Sequence, residues 1–226
     1  MVLGRNGDFA WKRVVVSAGG TREAIDPVRY IGNRSSGKMG YAVAEAARDR
    51  GAKVILISGP TTLAEPVGIE VVRVESAAQM KAAVTKATAK ADVLIMTAAV
   101  ADYQPKRVAT QKIKKALTGP NWTLELVRTP DILSEVKGKF IRVGFAAETK
   151  KKLVEHAKEE LVKKHLDIVA ANDITAPDSG FEVDTNRVII ITRDGKTEKL
   201  PLMLKREVAD KILVRVVGFL TGKASR

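Results

Sequence analysis

Residues 32–39 read Gly-Asn-Arg-Ser-Ser-Gly-Lys-Met. This is one position short of the phosphate-cradling pattern G-x-x-x-x-G-K-[ST], whose last hydroxyl holds Mg²⁺. Met39 has no hydroxyl to give. The context differs as well, because in a phosphate-binding loop the glycines follow the strand at once. Here about a dozen residues, Asp26 and Pro27 among them, separate the run RVVVSA from Gly32. What remains is Asn33, Ser35, Ser36 and the amides ahead of a helix that begins near Gly37. Unpaired N–H groups and the helix dipole attract anions at such a place. The plainer reading of SSGKMG is a capped helix start with glycines for close packing.

Other residue groups bear on the chemistry. SAGGT after the first apolar run resembles a dinucleotide-binding turn, but it is not G-x-G-x-x-G. No acidic residue follows KVILIS to hold a ribose, since Gly59 and Pro60 stand there. Asp102 follows directly on the run DVLIMT and could accept from a ribose or base, or sit near a metal-bound phosphate; a solvated loop aspartate is the plainer alternative. QKIKK, residues 111–115, fits a basic flap over an anion, although such a run by itself reads as a solvated face. The lysines of residues 150–164 alternate with Glu155, Glu159 and Glu160, as on a solvent-facing helix with ion pairs. His156 and His165 lie on that element without clustered ligands or a nucleophile to serve. No G-x-S-x-G is present, and there is no cysteine.

Composition narrows the class. The 226 residues carry 39 Lys and Arg against 26 Asp and Glu, a net charge of +13, which favours anionic partners. The absence of cysteine rules out disulfides and thiolate metal sites, and the expected setting is a reducing cytoplasm. No uninterrupted apolar stretch reaches membrane-spanning length. Aromatic residues at 4% leave few stacking platforms for a nucleic-acid module.

These residues need elements to hold them. Residues 13–18, 53–58, 71–74, 92–97, 141–145 and 167–171 are short β-branched or apolar runs. Helical spacing covers residues 41–51, a Ser76-capped segment to residue 90, and the charged segment 149–165. The alternation predicts an α/β, doubly wound, Rossmann-like fold with a mainly parallel sheet and helices on both faces. Residues 187–192 and 196–200, joined at Asp194-Gly195, predict a C-terminal β-hairpin extension, followed by a helix over 204–219. The expected organisation is a linker over residues 1–12 and a single domain over 13–226. In such sheets ligands sit beyond the carboxyl ends of the strands. The loops there are SAGGTREAIDPVRYIGNRSSGKMG, TAAVADYQP, FAAET and ANDITAPDSGF.

With QKIKK and RTPDIL added, these motifs, in this order, resemble phosphopantothenoylcysteine synthetase, the ligase half of the bifunctional coenzyme A enzyme, over roughly residues 13–220. The resemblance implies a ligase that joins 4′-phosphopantothenate to L-cysteine through an acyl-cytidylate. CTP is the co-substrate and Mg²⁺ or Mn²⁺ is held mainly by its phosphates, with no flavin in this domain. It further implies that Asn33 bonds the acyl group, that Arg29 shapes the substrate site, and that Lys112 stabilises charge at the α-phosphate. Asp102, the backbone of Pro130, Asp131, Ile132 and Leu133, and the ring of Phe145 would form the cytidine pocket. Ser35 would meet the triphosphate and Asn172 the substrate. Of two lysines expected four residues apart facing the nucleotide, Lys164 fits the second and Glu160 occupies the first. Family members are dimers, so the implied partners are a second copy, through the loop after Asp26-Pro27 and the C-terminal hairpin, and a flavin-dependent decarboxylase, fused or separate. No nucleic acid or membrane partner is implied. The rival readings are an ATP-using version of the same ligase and an NAD(P)-dependent reductase.

Overall fold

The computed structural model describes residues 7–114, 121–148, 153–173 and 182–222. Lys115, Thr118, Gly119, residues 149–152 and residues 174–181 of the expected loops lie outside them. The first strand, β1 (Arg13–Ala18), is buried from Val14 onward, as a β-branched run covered on both faces must be. The short β2 (Arg22–Ala24) and β3 (Tyr30–Gly32) follow, then β4 (Lys53–Ser58), β5 (Glu70–Arg73) and β6 (Val93–Met96). Next come β7 (Tyr103–Pro105), β8 (Leu126–Arg128), β9 (Ile141–Glu148) and β10 (Ile168–Asp173). The chain ends with β11 (Thr185–Asn186), β12 (Val188–Thr192), β13 (Thr197–Lys199) and β14 (Met203–Leu204).

Eight of these strands form one sheet in the order β13-β12-β10-β9-β6-β1-β4-β5. From β5 to β10 every neighbouring pair is parallel, while β12 and β13 are antiparallel additions at one edge. The expected C-terminal hairpin is therefore part of the main sheet. Alternate side chains serve opposite faces. Val14 and Val16 pack with the helices Lys38–Asp49 and Lys205–Leu220, whereas Val15 packs with Met80 and Val84 of the helix Ala77–Thr88. Ser76 caps that last helix reciprocally with Gln79. The helix Leu153–Lys163 covers Val169 and Ala171 on the same side.

Two boundaries differ from expectation. Phe9 is fully buried in the core, and its N–H donates to the oxygen of Arg50 at 3.1 Å, so the fold begins before residue 13. Phe9 and Trp11 ahead of the first strand carry no periodicity long enough to announce this. The loop between RVVVSA and Gly32 is itself an antiparallel hairpin, with Glu23 opposite Ile31. Its base is fixed by Glu23, a buried side chain whose carboxylate accepts from the N–H of Ala77 at 2.8 Å.

Candidate active site

From β1 the chain winds outward through β4 and β5, and then returns through β6 to β9 and β10 on the other side. The switch point between β1 and β6 is where a doubly wound sheet leaves a crevice. A cleft of about 780 Å³ opens there. Its lining comes from the start of the helix Lys38–Asp49, the loop after β6, residues 128–133, and the ends of β9 and β10.

Short bonds join the β1 and β6 loops into one rim. Thr97 Oγ1 donates to the oxygen of Ser17 at 2.6 Å, and Ser17 Oγ accepts from Ala98 N–H at 3.1 Å. Ala99 N–H donates to Gly19 O at 2.9 Å, and Ala99 O accepts from Thr21 N–H at 3.2 Å. The Asn33 side-chain amide, exposed at the mouth of the cleft, donates to Ala99 O at 3.1 Å. Gly37 is the N-cap at φ 81°, and the first helical N–H, that of Lys38, donates to Ser36 Oγ at 3.5 Å. Gly40 is required by contact: a Cβ on it would stand 2.5 Å from both Ala18 Cβ and Thr97 Oγ1.

The opposite wall is the turn Thr129-Pro130-Asp131. Thr129 N–H donates to Asp102 O at 3.0 Å, which ties this wall to the β6 loop. Asp131 caps the short helix Ile132–Glu135 and accepts from Ser134 Oγ at 2.9 Å. Lys164 reaches the cleft between Glu160, at 2.5 Å, and Asp131, at 3.6 Å. Burial alone would favour its neutral form, but these two carboxylates outweigh it and hold the ammonium above its usual value.

The cleft thus brings together Asn33, Ser35, Asp102, Pro130, Asp131, Ile132, Leu133, Phe145, Lys164 and Asn172. Arg29 and Lys112 are the exceptions. Neither lines the cleft. Arg29 is turned toward Asp26 at the tip of the β2–β3 hairpin, where Nε at 3.0 Å and Nη2 at 2.5 Å both donate to Asp26 Oδ2, and it stacks over Trp122 at 5.6 Å. Lys112 is exposed on the segment docked against that tip. Hairpin formation carries both to one place outside this chain's cleft.

Two cleft lysines were not assigned a role from sequence. Lys38 opens its helix and binds Asp184 Oδ1 and Glu182 O, each at 2.7 Å. Lys205, at the first turn of the closing helix, is buried and donates to Val183 O. Burial, and then the neighbouring Lys38 ammonium, bring its amine down to about 8, with Asp184 opposing. Lys38 stood within the quoted motif; Lys205 is brought to the cleft by the β11–β14 pairing, which leaves no local signal.

Among the described residues no group of three His, Cys, Asp or Glu could hold a metal, and no helix is long and apolar enough to cross a membrane. Asp102 and Asp131 are the carboxylates lining the cleft. One or two carboxylates completed by phosphate oxygens suit Mg²⁺, which keeps octahedral geometry and is seldom caged by protein alone.

The sequence profile of the family described as "DNA/pantothenate metabolism flavoprotein C-terminal domain" matches residues 9–220. The coenzyme A biosynthesis bifunctional protein CoaBC of Bacillus subtilis is 51% identical over 212 residues, covering 92% of this chain and 51% of that protein. The CoaBC of Mycobacterium bovis is 46% identical, covering 96% of this chain and 55% of the relative. The chain therefore spans about half the length of the curated relatives it matches. The crystal structure of a C-terminal domain of CoaBC superimposes with a TM-score of 0.81 at 42% identity, covering 96% of this chain and all of that one. On this evidence the chain belongs to the DNA/pantothenate metabolism flavoprotein C-terminal domain family, the family to which its strand-end motifs pointed.

Proposed function

We propose that the chain is a ligase that joins 4′-phosphopantothenate to L-cysteine, with CTP cleaved to CMP and pyrophosphate. The observation that carries this reading is the convergence, on one switch-point cleft, of Asn33, Ser35, Asp102, residues 130–133, Phe145, Lys164 and Asn172, which are separated widely in sequence. The kinship with CoaBC proteins supports it.

A carboxylate becomes open to an amine only once its oxygen is part of a good leaving group. In the first step a carboxylate oxygen of phosphopantothenate attacks the α-phosphorus, and pyrophosphate departs. In the second, the cysteine amine attacks the acyl carbon and CMP departs with its oxygen. Charge placement and orientation carry both steps, and no side-chain nucleophile is required. Asn33 offers an amide at the mouth, beside the acyl carbon. The ring of Phe145 and the turn 130–133 receive the base, Asp102 the ribose, and Lys164 a nucleotide oxygen. Asp102 and Asp131 are the protein carboxylates that would hold Mg²⁺ together with the triphosphate, and the ion would supply charge neutralisation there.

Arg29 and Lys112 enter from a second copy of the chain. Both lie at the β2–β3 tip, beside the exposed side chains of Val28, Tyr30, Val108 and Trp122, an apolar surface suited to a symmetric contact. A flavin-dependent decarboxylase domain, fused or separate, would take the product.

The test is pyrophosphate release with phosphopantothenate, cysteine and Mg²⁺, comparing CTP with ATP. The reading expects release that depends on phosphopantothenate, with CTP preferred. Equal rates with ATP would reverse the nucleotide assignment, and release independent of phosphopantothenate would end the ligase reading.

A further inference from the structure

Asp26 combines two properties seldom found together. It belongs to an exposed turn, between Pro27, Val28 and the solvent, yet its side chain has 0% exposure. Five N–H groups account for this. Oδ1 accepts from the N–H of Val28 and of Arg29, each at 2.8 Å, which is local turn chemistry. Oδ2 accepts from Arg29 Nε at 3.0 Å and Nη2 at 2.5 Å, and from the N–H of Ile113 at 3.1 Å. That last donor lies 87 residues along the chain.

The same residue is gripped from its other side. Arg29 Nη2 donates to the oxygen of Ile113 at 2.8 Å. One ion pair thus satisfies both main-chain groups of one residue, as a neighbouring strand would. Ala109 N–H adds a bond to Ile25 O at 2.9 Å, and the Arg29 guanidinium lies over the Trp122 ring. Residues 109, 113 and 122 are all fastened to the β2–β3 tip. Lys112 is bonded directly to the gripped residue, so its Cα is held about 3.8 Å from a fixed one.

We propose that Asp26 is a positioning residue: paired with Arg29, it clamps the Ile113 peptide onto the β2–β3 hairpin and so sets where Lys112 presents its ammonium. The assignment of Lys112 to nucleotide activation rests on the ligase reading above; the clamp itself does not. Arg29 accordingly has two tasks, one toward substrate and one toward the segment that carries Lys112. An exposed ion pair would be too weak for this, whereas a carboxylate fully enclosed by donors cannot lose its charge without leaving several of them unsatisfied.

The test uses Asp26→Asn in a Trp11→Phe background. The chain has two tryptophans, so Trp122 then gives the whole indole signal. Three quantities are read: Trp122 emission, the rate of tryptic cleavage after Lys112 and Lys114, and the rate of acyl-nucleotide formation from CTP and phosphopantothenate without cysteine. The expected result is a red-shifted emission, cleavage at least tenfold faster, and acyl-nucleotide formation at least tenfold slower, with the KM for cysteine unchanged. Should Asp26→Asn not fold, Ile113→Pro removes the same N–H from the other partner, with emission and acyl-nucleotide formation read as before and tryptic cleavage read after Lys114 alone, since a proline at 113 blocks cleavage after Lys112.

Unchanged emission and cleavage would overturn the clamp with the ligase reading intact. A loosened segment with an unchanged first step would reduce the pair to a structural brace and overturn the positioning role. Absence of phosphopantothenate-dependent pyrophosphate release in the unaltered protein would instead remove the ligase reading, and Lys112's task with it.

Discussion

The side-chain amide of Asn33 donates to the main-chain oxygen of Ala99 at 3.1 Å, across 66 residues of sequence. It also stands 3.4 Å from the oxygen of Val100. The loop that precedes the helix Lys38–Asp49 is thereby fastened to the loop that follows β6, with the amide between them.

Asn33→Ala removes that amide while leaving the main chain free to keep its course. Loss of a single group that orients the reacting acyl centre costs on the order of 10²-fold in rate. The expected outcome is product formation slowed by about that factor, with acyl-nucleotide accumulating. Single-turnover chromatography measures both species, and ordinary turnover would take Asn33 out of the chemistry.

Lys164 is charged and held between Glu160 and Asp131. A hydrogen bond to a charged group is worth about 1.5–3 kcal/mol. Lys164→Met is therefore expected to raise the KM for CTP about tenfold or more, with kcat changed much less. Glu160→Gln, which keeps the shape and removes the competing carboxylate, should lower that KM. A KM indifferent to both changes would place the nucleotide elsewhere.

Gly40 sits where the helix Lys38–Asp49 meets β1, and an added methyl would also lie 2.9 Å from the oxygen of Ser17. That atom belongs to a central strand and has no room to give. Gly40→Ala should cost about 1–3 kcal/mol as an overpacked contact. Denaturant unfolding reads this directly, and a change under about 0.5 kcal/mol would contradict the packing described.

Lys205 has a folded-state value of about 8, below its ordinary 10.5. The folded chain therefore binds fewer protons than the unfolded one between these values. Stability then rises with pH across that interval, and the burial penalty is fully present below it. The unaltered protein should gain stability relative to Lys205→Met between pH 8 and pH 10. Parallel stability curves for the two would mean that the amine is not desolvated in this way.

The buried strands were readable because β1, β4 and β6 are β-branched runs that must be covered on both faces, and Ser76 announces its helix through the reciprocal bond with Gln79. The β2–β3 hairpin was not. Its strands have three residues each, too few for an alternating pattern, and it is fixed by Asp26 at its turn and by Glu23 at its base. The cleft residues on strand ends, Asn33, Asp102 and Phe145, were legible as loop positions, since the sheet alone determines where they go. The place that Arg29 and Lys112 share outside this chain's cleft was not legible, because it follows from that unannounced hairpin. Lys205 depends on Asn186 pairing with Met203, a contact between two-residue strands.

The bonds that Ala99 makes through both its main-chain groups have a thermodynamic meaning. The floor of the crevice is stitched before any guest arrives, so its amides should exchange with deuterium as slowly as those of the sheet beneath. The ordering entropy of capture then falls on the outlying segments, and calorimetry should register an entropic penalty that shrinks when those segments are tied down.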